Sequence, residues 1–395
     1  MAIKNDYEVA VVGAGIVGLA MAYTAAREGK KVAVFERSPG ALGASVRNFG
    51  LVWPVGQTAG NQLDRALRSR SVWMQLIEEA GVWANPSGSL HLAYHDDEMA
   101  VLEEFLDTTG GAGYNCKLLT THQVAERSPA VVMTGLKGGL FSATEVTVSP
   151  RQAIPRIAAF LEERYGVEFH WSTAITHVES GHLSTFYDFW SAEQIMVCNG
   201  ADFVLLYPRE FAQSGLMQCK LQMMRTSAQP DNWKLGPALC AGLTLRHYAN
   251  FAHCPSLAAV NARYDAENPD YSRYGIHVLL SQNHLGQLII GDSHEYGQEA
   301  SPFNNEDINQ LILRYLHSFA QAPEMEVAET WYGVYPKCQK GAEIVFEPEP
   351  GVTIVNGLGG AGMTLSFGLA QEIWKGTYTD DIPKIGIANH KIKQI

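Results

Sequence analysis

The sequence predicts an α/β protein in which a parallel-sheet unit interleaves with an α+β unit built on a mainly antiparallel sheet. Three observations carry this expectation. A strand, glycine loop, helix and strand open the chain; a strand, glycine loop and helix close it; and the stretch between them is rich in strand and hairpin patterns. With matching pieces at both ends, each unit must be discontinuous. The expected division is 1–85, 146–215 and 336–395 for the first unit, and 86–145 and 216–335 for the second.

The opening segment "YEVAVVGAGIVGLAMAYTAAREGKKVAVFER" runs from Tyr7 to Arg37. Val9 to Val12 form a continuous apolar run, as a parallel strand buried on both faces requires. Gly13, Gly15 and Gly18 follow as G-x-G-x-x-G. Gly13 allows the tight turn, Gly15 lets the backbone approach a pyrophosphate, and Gly18 lets helix and strand pack closely. An alanine-rich helix ending at Gly29 would present its N-terminal N–H groups and dipole to the phosphates. Glu36, at the end of "KVAVFE", stands where a carboxylate accepts hydrogen bonds from ribose hydroxyls. The motif indicates a dinucleotide and leaves FAD and NAD both open.

Later elements are read in order. "GALGASVRNFGLVWPVGQ" is a glycine-rich loop, followed by an amphipathic helix over about Asn61–Ala80 with Leu63, Leu67, Met74 and Ile77 on one side. "SLHLAYH" reads as a strand and "DEMAVLEEFLDTTG" as a helix. Ser149 and Pro150 open a further helix as N-cap and first-turn proline, with Ile154, Ile157, Ala158, Leu161 and Tyr165 at helical spacing. "VEFHWSTAITHVESG" and "EQIMVCNGADF" read as strands returning to the first sheet. Cys219 to His294 reads as strands broken by loops, with hairpins in "GIHVLLSQNHLGQLIIGDSHEYG". A helix follows at about Asn305–Gln321.

Composition narrows the function. With 395 residues, 46% hydrophobic and 18% charged, the chain is an ordinary globular protein. Its net charge of −12 with no Lys/Arg run argues against nucleic acid or an anionic membrane as a partner. No apolar run is long enough to span a membrane and no secretory signal is visible. The six cysteines show neither C-x-x-C nor zinc spacing, so reduced thiols in a cytoplasm and no metal are the expectation.

Taken together, the motifs resemble those of the D-amino-acid-oxidase-like FAD oxidoreductases, in the glycine and sarcosine oxidase branch. "VVGAGIVGLAMAY…VAVFER", "GASVRNFGL" and "NGLGGAGMTLSFGLA" carry the resemblance, which covers nearly the whole chain and is weakest over about 205–275. It implies a Rossmann-like FAD-binding domain of the glutathione-reductase type, and FAD over NAD. It also implies a pyrophosphate loop at Gly13, Ala14, Gly15, Ile16, Val17 and Gly18, a ribose ligand at Glu36 with Arg37 beside it, and a flavin-facing loop at Ser45, Arg47, Asn48 and Gly50. Ile175 matches an adenine-contacting position, and Asn199 and Gly200 are further candidates. Gly359, Gly360, Gly362, Met363 and Thr364 match the loop over the flavin's pyrimidine edge. Some relatives attach the flavin to a cysteine; the surroundings of Cys338 do not match that motif, and non-covalent FAD is expected.

The family's substrate segment commonly carries an arginine that grips a carboxylate as a bidentate fork. Here the matching stretch, in "ETWYGVYPKCQKGAE", holds Tyr335. "ASVRNFGLVWPVGQ", "GSLHLAYHDDE", "LRHY" and "GDSHEYG" resemble a subgroup associated with phosphonate catabolism. This implies oxidative deamination of a small anionic amine, an aminoalkylphosphonate such as 2-aminoethylphosphonate or an N-methyl relative, to an aldehyde plus ammonia or methylamine. Oxygen or another acceptor would reoxidise the flavin. Candidate substrate residues are Arg47, Arg246, His247, His294, Tyr335, Lys337 and Thr364; Trp53 and Trp331 read as packing residues. The alternatives are an oxidase or dehydrogenase acting on glycine, sarcosine or a D-amino acid, and a non-catalytic flavin-binding subunit. A monomer or homodimer is expected.

Overall fold

The computed structural model describes residues 6–109, 113–230, 233–339 and 341–379. Strand Asp6–Val12 is buried through its length apart from its first and third residues and lies at the centre of an eight-stranded sheet. It pairs in parallel with Val32–Phe35 on one side and Phe189–Val197 on the other. Val32–Phe35 continues in parallel to Glu168–His170. Phe189–Val197 forks: its start pairs antiparallel with His182–Ser184, and its end pairs in parallel with Val352–Asn356. The closing strand therefore docks beside the opening one, although they are far apart in sequence. Helices Ile16–Arg27, Asn61–Ala80, Pro150–Tyr165 and Gly362–Trp374 pack together on this sheet in one apolar core.

Among the described residues the second sheet has nine strands. Its spine is Leu216–Ala228, paired antiparallel along its length with Val327–Cys338. On its other side lie Glu295–Gly297 and then Gln287–Gly291. Every pairing in this sheet is antiparallel except that of Ala238–Cys240 with Ser89–Ala93. The expected α/β architecture, with one largely parallel and one mainly antiparallel sheet, is thus observed. We propose that the two sheets mark the division into 1–85, 146–215 and 336–395 against 86–145 and 216–335. Strand Val327–Cys338 runs through the last of these boundaries, and residues 380–395 lie outside the described residues.

Several local expectations need correction. The helix at Asn61–Ala80 has its expected limits, but its most buried stripe is Leu63, Ala66, Ser69, Val72, Trp73, Leu76 and Ala80; Leu67, Met74 and Ile77 flank it half-buried. Arg65 is also buried there, because Glu343 accepts from it at 2.7 Å and Glu372 at 2.6 and 2.9 Å. Ser149 precedes its helix with no capping bond; its hydroxyl meets His284 Nδ1 at 2.7 Å instead. The stretch read as strands broken by loops also contains helices Gly242–His247, Leu257–Glu267 and Pro269–Arg273. Leu257–Glu267 buries only Val260 and Tyr264, too few positions to print a helical period on the sequence.

Candidate active site

The two glycine loops and the inner face of the second sheet enclose a cavity of about 1450 Å³. Its construction begins at Gly13, whose φ is +106° and whose added Cβ would lie 2.3 Å from the Cys198 carbonyl oxygen. No side chain fits between the first strand and its neighbour here, so the backbone itself forms the wall. Gly18 has the packing role expected of it, since a Cβ there would strike the Gly13 carbonyl at 1.9 Å. The N-cap position of helix Ile16–Arg27 is Gly15, with no side-chain cap; Ile16 N–H donates to Ser45 Oγ at 2.9 Å. Glu36 closes this end, accepting the N–H groups of Ala14 and Ser38 at 3.0 Å each.

Asn48 shapes the second loop: its amide donates to the carbonyls of Ala44 and Ser45, and its oxygen accepts from Gly50 N–H. Gly50 itself does not line the cavity; its φ is +74° and an added Cβ would lie 2.0 Å from Val148 O, so close chain packing explains the residue. Arg47 does line the cavity, and its carbonyl accepts from the Trp331 indole at 3.1 Å. Arg37 is exposed and pairs with Asp202, while Ile175, Asn199 and Gly200 line the same end. The C-terminal loop completes the enclosure with Gly359, Gly360, Gly362, Met363 and Thr364. Helix Gly362–Trp374 also lacks a side-chain cap at its N-terminus, leaving N–H groups for a ligand's acceptors.

The remaining wall belongs to the second sheet. Tyr335 is buried at the cavity beside Cys219, its cross-strand partner, and burial pushes its phenol well above the usual range. Lys337 bends toward the C-terminal loop, where a methyl group added at Gly359 would lie 2.9 Å from its Cδ. His294 and His247 face the same space. His247 shows an open face, but that face looks into the cavity rather than outward, and the ring is held well below its usual pKa by burial and then by His294 and Lys337. Burial pushes His294 down to about 4.

Arg246 is placed elsewhere, which corrects the expectation that it contacts substrate. It donates to Asn261 Oδ1 at 2.8 Å, Asp265 Oδ1 at 2.6 Å and Ser272 Oγ at 2.8 Å, and it does not line the cavity. The short helix Gly242–His247 aims the two adjacent side chains differently. Trp53 lines the cavity as well as packing, while Trp331 stacks against Arg151 outside it. Sequence reasoning missed His277 and Asp292. They pair through their backbones across a hairpin, Asp292 N–H to His277 O at 2.8 Å. Only that register brings His277 beside His294; in isolation "GIHVLL" reads as core strand.

A glycine wall without room for Cβ atoms, two uncapped helix N-termini and a carboxylate after the second strand fit the diphosphate, ribose and ring of FAD. The chain belongs to the DAO family, described as FAD dependent oxidoreductase, whose match spans residues 8–374. It is an FAD-dependent oxidoreductase. Its sequence is 21% identical over 349 residues to glycine oxidase from Geobacillus kaustophilus (strain HTA426), covering 85% of this chain and 83% of that one. A crystal structure of glycine oxidase from Geobacillus kaustophilus aligns with a TM-score of 0.74 at 20% identity, over 95% and 96% of the two chains. Dithionite-reduced L-alpha-glycerophosphate oxidase from Mycoplasma pneumoniae, with FAD bound, aligns with a TM-score of 0.73 at 16% identity, over 94% and 95%. At these identities the structural likeness establishes a shared fold. No helix among the described residues is long and apolar enough to cross a membrane.

Proposed function

We propose that this oxidoreductase deaminates a small amine carrying a tetrahedral anion, an aminoalkylphosphonate, using non-covalent FAD. The observation that carries the reading is Tyr335, a buried phenol where a carboxylate-gripping arginine is expected, with Lys337 two residues on. A phenol gives one hydrogen bond and cannot form the planar fork. Lys337, Tyr335, Arg47 and Thr364 offer separate donors from several directions, with His247 and His294 on the same wall, which suits the three oxygens of a phosphonate. Glycine oxidase among the relatives supports an amine as the reacting group. Cys338 is buried and does not line the cavity, which supports a cofactor held without a covalent bond.

FAD, when bound, accepts two electrons and one proton equivalent from the amine's α-carbon. The chain's part is to hold the neutral amine and its anionic tail in one orientation and to keep water from the α-carbon. The C–N single bond becomes an imine, which water then splits into an aldehyde and ammonia, or methylamine from an N-methyl substrate. Anaerobic flavin bleaching across a panel of aminoalkylphosphonates, glycine, sarcosine and D-amino acids tests the reading. Faster bleaching by a carboxylate substrate overturns it, and a bound flavin that no amine bleaches points to a non-catalytic subunit.

A further inference from the structure

His247, His277 and His294 each offer one ring nitrogen within 4.8 Å of those of the other two. Their ring centres are 3.8, 4.6 and 5.2 Å apart. Imidazoles sharing a tetrahedral ion at the usual zinc–nitrogen distance stand with ring centres about 5 Å apart; the two pairs that include His294 meet this, while the stacked His247–His277 pair is closer, so one of those two rings must turn to bind. We propose that these three histidines form a binding site for a zinc-class divalent cation inside the substrate cavity. The proposal deepens the phosphonate reading, and it rests on that reading only for what the ion does.

The hydrogen bonds around the cluster support a ligand. His294 Nδ1 meets the Gly275 carbonyl at 2.9 Å, which makes Nδ1 the protonated nitrogen and leaves Nε2 a free lone pair. His277 Nδ1 is buried and has no hydrogen-bond partner. Asp292 stands beside both rings, Oδ1 3.1 Å from His277 Nε2 and Oδ2 4.0 Å from His294 Nε2, on the side that an ion would occupy. The shorter contact has ion-pair distance but lies off the N–H direction, so Asp292 Oδ1 remains without a hydrogen bond. His277 and Asp292 are 3% and 4% exposed. Unpartnered polar atoms this deeply buried are costly unless something satisfies them.

A purely anionic ligand accounts for the cluster less well. Rings of His247 and His277 stacked at 3.8 Å disfavour two adjacent imidazolium ions. A divalent cation can take a phosphonate oxygen as a further ligand, replacing the charge that the absent arginine would have supplied.

The test uses the FAD-loaded protein, dialysed against a chelator and then against zinc chloride, with zinc and flavin measured per chain. The expected result is about one zinc per wild-type chain, with affinity weakened at least about tenfold in His277→Ala and His294→Ala at unchanged flavin content. His247→Gln, at the end of a short helix on the cavity wall, gives the same loss with the least risk to folding. His284→Ala, remote from the cluster, retains zinc. Wild-type protein that retains no zinc, or zinc retained equally by all three cluster variants, overturns the site. Zinc binding together with a carboxylate preference would overturn the phosphonate reading and leave the ion site standing. Phosphonate preference in a protein that binds no zinc would do the reverse.

Discussion

Trp53 N–H donates to Thr364 Oγ1 at 2.9 Å in the interior, so the loop after the first sheet's second strand is tied to the C-terminal glycine helix by one buried bond. Thr364 also lines the cavity. Thr364→Val keeps the shape but leaves the Trp53 amide unpaired, which costs about 1–3 kcal/mol. The expected outcome is a lower urea midpoint for the FAD-loaded protein, with Thr364→Ser close to wild type. Equal midpoints for Val and wild type would show that the bond contributes nothing.

Glu36 accepts the N–H of Ala14 in the glycine turn and that of Ser38, and it lines the cavity. Glu36→Ala removes an acceptor from the cofactor and slackens the turn. Hydrogen bonds to a charged group are worth about 1.5–3 kcal/mol, so FAD should dissociate with a Kd raised roughly ten- to a hundredfold. Flavin retained through gel filtration as in wild type would remove Glu36 from the cofactor site.

The nucleotide-facing half of the molecule was legible because its signals are local. Three glycines, an apolar strand and Glu36 fall within one stretch, and each meets a steric demand visible in sequence. Gly50 shows the limit of such matching, because its lack of a side chain serves packing against Val148 and not the cavity. The substrate wall is different. His247 and Arg246 are adjacent in sequence, yet a short helix sends one into the cavity and the other into a pair with Asp265. His277 reaches His294 only through the hairpin register with Asp292. Non-local pairing of this kind leaves no period or spacing to read.

Arg246→Ala provides a control drawn from that correction. Its partner Asp265 is largely exposed, and such pairs contribute about 0–1 kcal/mol. Stability should fall by about that amount while kcat/KM stays within about threefold of wild type. A loss of hundreds-fold specific to one substrate class would return Arg246 to the substrate site.

Glu329 accepts from Arg151 at 2.9 Å and also pairs with Arg225, joining the helix after Ser149 to the second sheet. The Arg151 hydrogen bond, ahead of the charges of both arginines, holds its carboxyl below the ordinary value of 4.5. A folded-state pKa below the unfolded one adds stability above the ordinary value, and this is lost as pH falls through the folded value. Wild type should therefore melt above Glu329→Gln at neutral pH, and the gap should close as the solution is acidified below about pH 4. A constant Tm difference across that range would assign the effect to packing.

The preference between anions turns on Tyr335 and Lys337. Lys337 runs along Gly359 at the mouth of the C-terminal loop, and its charge is felt at both His247 and His294. Removing one charged donor to a bound anion costs on the order of 2–4 kcal/mol, or roughly thirty- to a thousandfold in kcat/KM. Lys337→Ala should show that loss on an aminoalkylphosphonate while the oxidised flavin spectrum is unchanged. Tyr335→Arg replaces one phenolic donor with a planar fork and should move the preference toward glycine or sarcosine. Stopped-flow bleaching of each variant with matched phosphonate and carboxylate amines separates orientation from binding. Wild-type preference for the carboxylate would refute the assignment. If phosphonate turnover ignores both substitutions, the anion is held by groups other than these two, and the variants in the histidine cluster then become the decisive measurement.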